Sequence, residues 1–182
     1  MKTTYIFIGF IALALVQVFA PLKMIYDNED ILTSGTVYKF KTRPIDPTDP
    51  FRGKYVTLQF QINSFATSDS TYVKGDKIRV YIENDEDGFA KIYQISKEPL
   101  DIKNDYVKAQ VTYVYPDRVT FELPFNRFYM EETKAYDAEK AYAKANRDGV
   151  IDNVYALVYI KNGQSVLDNL IIDNMPIQEY VE

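Results

Sequence analysis

Residues 3–22, TTYIFIGFIALALVQVFAPL, are apolar or uncharged throughout, and Lys2 and Lys23 bracket them. As a helix this stretch would reach roughly 30 Å, the thickness of the bilayer hydrocarbon. Beyond Gly35 the dominant period changes to two. Val37 to Thr42 reads as a short strand. In Tyr55 to Phe65, the clearest strand of the chain, Val56, Leu58, Phe60 and Ile62 share one face, with Thr57, Gln59 and Gln61 on the other. Lys77 to Glu83 alternates as cleanly, and Ala90 to Ser96 would be its hairpin partner through Asn84-Asp85-Glu86-Asp87-Gly88. Tyr106 to Tyr115 and Arg118 to Leu123 form another pair around Pro116-Asp117. Asn153 to Ile160 and Ser165 to Ile172 flank Asn162-Gly163, a strong hairpin signal. Seven or eight strands at this spacing predict a mainly β protein, an antiparallel β-sandwich or small barrel.

One segment departs from period two. Glu131 to Asn146, EETKAYDAEKAYAKAN, is rich in Ala, Glu and Lys and predicts an amphipathic helix over about 131–146. Glu131 and Glu132 lead it, while Lys140, Lys144 and Arg147 trail it, which complements the helix dipole. Ala135, Ala138, Tyr142 and Ala145 would face the sheet. Gly149 is the expected stop.

The apolar leader has two main readings, with a buried core helix as a third. A signal peptide would be cut after Ala20, which places Pro21 at the first mature position, where signal peptidases work badly. The run also exceeds the usual h-region of roughly 7–15 residues, so an uncleaved signal-anchor is favoured. The expected organisation is an anchor over 1–23, a linker over 24–34 and an extracytoplasmic β domain over 35–182. The chain would then be single-pass, held in the lipid bilayer through residues 3–22, with its N-terminus cytoplasmic. The flanking-charge bias behind that orientation is slight.

Composition narrows the chemistry. The 182 residues carry 21 basic and 26 acidic side chains, for a net charge of −5, and the pI is about 4.9. Residues 24–182 alone carry 19 basic and 26 acidic residues, a balance of −7. Such a domain is a poor phosphate binder, so nucleic acid is not an expected partner, and anionic headgroups would repel it as a whole. Cys and His are both absent. That removes disulfides, thiolate nucleophiles, Ser-His-Asp triads and imidazole- or sulfur-based metal sites, and no cofactor is implied.

The remaining candidates each have a plainer structural explanation. Asp46, Asp49, Glu131 and Glu132 would suit acid–base or glycosidic work if they converged; otherwise the Asp residues fix turns and the Glu residues open a helix. Glu83 to Gly88 has the alternating acids of a calcium loop, but its twelfth position is Gln94, so a solvated hairpin turn is the better reading. Ser64, Ser68, Ser70 and Lys74 offer a Ser-Lys hydrolase, which requires a desolvated lysine in what reads as a polar loop. The 16 Tyr and 11 Phe suit stacking on sugars, an interface, or simply strands.

Residues 43–60 read RPIDPTDPFRGKYVTLQF. Asp46-Pro47 and Asp49-Pro50 force extended backbone at each Asp, and Gly53 permits a tight approach before the strand. Arg52 could pair with Asp46 or Asp49 and lock this carboxylate-bearing ramp. The stretch Arg52-Gly53-Lys54-Tyr55-Val56-Thr57-Leu58-Gln59-Phe60 resembles the signature of the GDYXXLXY family of uncharacterised bacterial membrane-anchored proteins. That signature runs Arg-Gly-Asp-Tyr-x-x-Leu-x-Tyr after a hydrophobic N-terminus and a Pro-Asp-Pro lead. Lys54 stands in place of the Asp, and Phe60 in place of the final Tyr. The resemblance extends through Arg127-Phe128-Tyr129 and Glu131-Glu132 to Leu170-Ile171-Ile172-Asp173. It implies a topology and a family, not a reaction.

The expected function is a non-catalytic binding or assembly module of the cell envelope that engages other envelope proteins. An envelope hydrolase using carboxylates or a Ser-Lys pair is the alternative, and a glycan-binding module the second. The expected binding surface comprises Asp46, Asp49, Arg52, Tyr55, Arg127 and Glu132.

Overall fold

The computed structural model describes residues 2–43, 55–147 and 154–181. The apolar leader forms α1 (Lys2–Ser34), a helix of 33 residues with Pro21 inside it. Its segment Thr3–Ser34 is long and apolar enough to cross a membrane, and none of its most apolar window is buried against the rest of the protein. A buried core helix is therefore not what this segment forms. The stretch 24–34, expected as a linker, is helical and continues α1. It contains no proline or glycine, so nothing local ends the helix before Gly35.

That last part of α1 is tied to the β structure. Ile31 is buried. Lys161 Nζ reaches both Asp30 carboxylate oxygens at 2.8 and 2.7 Å and the Ser34 hydroxyl at 2.7 Å. Gly35 donates its N–H to the Ile31 carbonyl at 2.8 Å. A Cβ on Gly35 would lie 2.5 Å from that carbonyl oxygen and 3.0 Å from the one of Ile160. Helix and sheet thus approach here as closely as only glycine permits.

The strands build two five-stranded antiparallel sheets and a two-stranded ribbon. In the first sheet, β1 (Thr36–Arg43) lies between β10 (Val154–Lys161) and β3 (Gln59–Phe60). Beyond β10 come β11 (Gln164–Ile172) and β12 (Met175–Pro176). In the second sheet the order is β4 (Ser64–Ala66), β8 (Arg118–Glu122), β7 (Tyr106–Val114), β5 (Lys77–Asn84) and β6 (Ala90–Ser96). The ribbon pairs β2 (Tyr55–Thr57) with β9 (Arg127–Tyr129). The mainly β, antiparallel architecture is the one expected, curling toward a closed barrel. An isolated parallel bridge, Lys39 with Phe89, joins the first sheet to the β5–β6 hairpin.

The sequence reading of one long strand over Tyr55–Phe65 is corrected here. The segment is three short strands, β2, β3 and β4, each paired with a different partner: β9, β1 and β8. Between them the Leu58 N–H turns to the Asn126 carbonyl at 2.8 Å, and the Gln61 N–H to Lys41 at 3.0 Å. Alternation nevertheless holds, because Val56, Leu58 and Phe60 are all buried. The segment is a corner that changes sheets while keeping one face inward. This split, with the short β9 and β12, makes twelve strands among the described residues where seven or eight were expected.

Three rings pin the corner. Phe40 of β1, Phe60 of β3 and Phe125, just before β9, meet edge to face with centroids 5.7, 4.9 and 5.2 Å apart. Phe60 occupies the signature's final Tyr position, and its ring is buried, so this departure leaves the packing role intact. The predicted helix is α2 (Glu132–Arg147), with Ala135, Ala138 and Tyr142 buried and Ala145 partly buried against the core. A final turn of helix, α3 (Ile177–Tyr180), buries Ile177 completely.

Two polar anchors hold α2 and β10 against the end of β1. Thr42, the one buried polar residue among those described, donates its hydroxyl to the Val154 carbonyl at 3.0 Å. Tyr142 donates to the Arg43 carbonyl at 3.1 Å, and burial pushes its phenol pKa up to about 12. The chain is therefore gripped just before residues 44–54.

Candidate functional site

The ribbon β2–β9 brings the signature and the Arg127-Phe128-Tyr129 segment together, although 72 positions separate Tyr55 from Arg127 in the numbering. Tyr55 is opposite Tyr129, Val56 opposite Phe128, and Thr57 opposite Arg127. Val56 and Phe128 are both buried and face the core. Period two therefore turns Tyr55, Arg127 and Tyr129 outward together.

On that outer face the Tyr55 and Tyr129 rings stand 5.4 Å apart, tilted by 59°. The Arg127 guanidinium sits over the Tyr55 ring, 5.0 Å from its centroid. The guanidinium pKa is held above its ordinary value, first by hydrogen bonding to Tyr129 and then by the Tyr55 and Tyr129 phenols. Tyr129 remains 64% exposed. The result is a small aromatic–cation plate that stands on the surface and is preformed by its backbone pairing.

Of the residues expected at a binding surface, the structure thus unites Tyr55 and Arg127. Tyr129 joins them; strand alternation around Arg127 would have picked it out. Asp46, Asp49 and Arg52 lie outside the described residues. Glu132 opens α2 by its backbone, and its side chain is likewise outside what is described. Glu131 is exposed just before the helix.

The competing chemistry fares differently. Ser68, Ser70 and Lys74 are all exposed, so the lysine lacks the desolvation that a Ser-Lys dyad requires. The acidic loop 83–88 is a hairpin turn. Asp85 Oδ1 accepts the N–H groups of Asp87 at 3.0 Å and Phe89 at 2.8 Å, and Gly88 takes φ +80°. Glu83 is committed to Lys91 at 3.1 Å. Among the described residues no group of three or more carboxylates is placed to hold a metal ion. A second aromatic strip lies on the β7–β8 hairpin, where the Tyr113 and Tyr115 rings are 4.6 Å apart and Arg118 lies 4.5 Å over Tyr115.

A concave surface lies beside the corner. A cleft of about 300 Å³ is lined by Arg43, Gln59, Thr112, Glu122 and Asn126, among others. It shares Glu122, Leu123 and Asn126 with a larger cleft of about 800 Å³ on the outer side of β5 and β7.

These features define a class: a mainly antiparallel β body, carried by one long apolar helix, with a signature strand at a sheet corner. The family model described as GDYXXLXY protein matches residues 17–170, from within α1 nearly to the end of β11. The chain therefore belongs to the GDYXXLXY family. No curated protein and no solved structure matches it.

Proposed function

We propose that this protein is a membrane-anchored, extracytoplasmic binding module that docks another envelope protein through the Tyr55–Arg127–Tyr129 plate. α1 would remain uncleaved, with residues 3–22 in the bilayer and the β body on the far side. The observation that carries the reading is the plate itself. The signature strand turns Val56 into the core and Tyr55 outward, where it joins Arg127 and the exposed Tyr129 in a Tyr–Arg–Tyr stack. Tyr and Arg are residue types that concentrate binding energy at protein interfaces: Tyr brings large contact area with only two side-chain torsions, and Arg a planar, multiply donating charge.

A glycan is the second reading, favoured by the Tyr113–Tyr115 strip, whose rings are 56% and 40% exposed. One experiment separates the two. A photoreactive residue at Tyr129 or at Tyr113 is incorporated in cells, and crosslinked products are identified by mass spectrometry. Docking through the plate gives a discrete protein adduct from position 129, lost in Arg127→Ala, and none from 113. Adducts only from 113, or carbohydrate adducts, would overturn the first reading.

A further inference from the structure

The clefts and the helix α1 share a wall. A groove of about 370 Å³ runs between α1 and the β body, lined by Met24, Asp27, Asn28 and Ile31 on one side and by Lys108, Pro124, Gly163 and Gln164 on the other. Lys108 and Pro124 also line the 800 Å³ cleft, so that cleft opens directly beside the helix. Met24 is the second residue after Leu22, where the uncharged run ends. The helical stalk from Lys23 to Ser34 spans about 18 Å. The β body packs on that stalk at Ile31 and the Asp30–Lys161 pair, and the groove beside it reaches down to Met24, which is itself exposed.

The cleft is basic although the protein is acidic. Lys77, Arg79, Lys97 and Lys108 line it, against one carboxylate, Glu122. Strand register explains the clustering: Arg79 pairs with Lys108, and Lys77 with Gln110, so all four side chains leave one face of the sheet. Lys97 is committed to Asp76 at 2.5 Å and to the Thr71 carbonyl at 2.6 Å. Glu122 accepts from the Asn126 amide. Among the described residues Lys77, Arg79 and Lys108 have no acidic partner, and Lys77 and Lys108 are exposed. Like charges are thus gathered on the side of the body that lies beside α1.

We propose that this cleft takes the phosphate of anionic lipid headgroups and so fixes one orientation of the β body against the membrane. The proposal rests on the membrane reading above. The balance of −7 over residues 24–182 keeps the rest of the body off an anionic surface, so the local cation cluster selects which side faces down. α1 contributes by entering the body without a break after Pro21: Ile31, Gly35 and the Asp30–Lys161 pair fix the β body on the last turns of the helix.

The test uses the full chain reconstituted in phosphatidylcholine vesicles with or without phosphatidylglycerol, with a water-soluble amine reagent and mass spectrometry of each lysine. Labelling of Lys77 and Lys108 should fall at least about threefold when phosphatidylglycerol is present, and high salt should restore it. Lys91, paired with Glu83 at the far end of the β5–β6 hairpin, should be unchanged. Lys108→Glu should abolish the lipid-dependent protection of Lys77. Equal labelling in both vesicles overturns the proposal while leaving the anchor intact. Equal protection by inorganic phosphate in phosphatidylcholine vesicles also overturns it, in favour of a free-anion site. A chain that does not float with the vesicles at all overturns the membrane reading beneath it.

Discussion

β10 and β11 run side by side from Val154–Ile172 to Lys161–Gln164, whereas residues 55–66 divide their pairing among three strands. β10 alternates buried and half-buried positions, and residues 55–60 likewise bury Val56, Leu58 and Phe60 on one face. They differ in where their partners come from. The hairpin carries its own instruction: Asn162 at φ 52° and Gly163 at φ 76° form a turn with both central residues left-handed, and the twist of that turn suits the flanking strands. The corner has no local partner. Its partners β8 and β9 lie in the middle of the chain, at Arg118–Glu122 and Arg127–Tyr129, and a ring cluster holds it in place. Alternation decides which side is inward; only the rest of the fold decides which edge is available.

The sharpest way to separate the two regions is to truncate the corner's ring. Phe60→Ala should cost about 3–5 kcal/mol, as for a buried aromatic whose neighbours cannot collapse onto the space. Urea unfolding of the full chain in detergent, followed by tyrosine fluorescence, would read it. A cost below about 1 kcal/mol would mean the corner is held by something other than Phe40, Phe60 and Phe125.

The hairpin should break at its turn. In Gly163→Ala the positive φ is strained, and the new Cβ would clash with the Tyr106 ring, so a loss of about 1–3 kcal/mol is expected. Part of that loss should vanish in a Tyr106→Ala background, because the clash is removed but the strain is not. A fully additive double-mutant cycle would show that the clash contributes nothing.

Between the regions stands Thr42, which ties β1 to β10 just before the chain enters residues 44–54. Thr42→Val should cost about 1–3 kcal/mol, because the Val154 carbonyl loses its hydroxyl donor in a buried place. A neutral substitution would imply that water replaces the hydroxyl.

The alkaline limb offers a smaller effect. Burial pushes the phenols of Tyr142 and Tyr38 up to about 12, with Asp105 adding to the effect on Tyr38. Each folded pKa lies above the ordinary value of 10.0, so the stability it contributes is full below pH 10 and is lost as pH rises toward 12. Tyr142→Phe should flatten part of the decline in melting temperature over that window. An identical pH profile would place this phenol in water.

The plate should matter least for stability. Arg127→Ala is expected to cost below about 1 kcal/mol, the range of an exposed cation–π contact. A larger loss in thermal unfolding would make Arg127 a structural residue rather than a docking one.

Much of this architecture is legible in the residues. The leader, β5–β6, β7–β8, the Asn162-Gly163 hairpin and α2 each carry a local signal: a charge-free run, period two with turn residues between, or the 3–4 spacing of Ala135, Ala138 and Tyr142. The split of the corner is not legible locally, because Tyr55–Phe65 alternates as well as any true strand and its breaks are made by Asn126 and Lys41, which are distant in sequence. The helical state of 24–34 is not marked by a local cap or stop before Gly35, and α1 runs through Asp27, Asn28, Glu29 and Asp30. For the site, the resemblance reached Tyr55 and Arg127. Alternation puts Tyr129 on the face of Arg127, but that this face meets Tyr55 shows only in the β2–β9 pairing, and the basic cleft only in the register of β5 with β7.

The most direct measurement is the intact mass of the protein recovered from alkali-washed cell membranes. A mass that retains residues 1–23, in the membrane pellet, is the expected result. A product that begins just after Ala20 and appears in the wash would contradict the anchored module, and with it the orientation of everything above the bilayer.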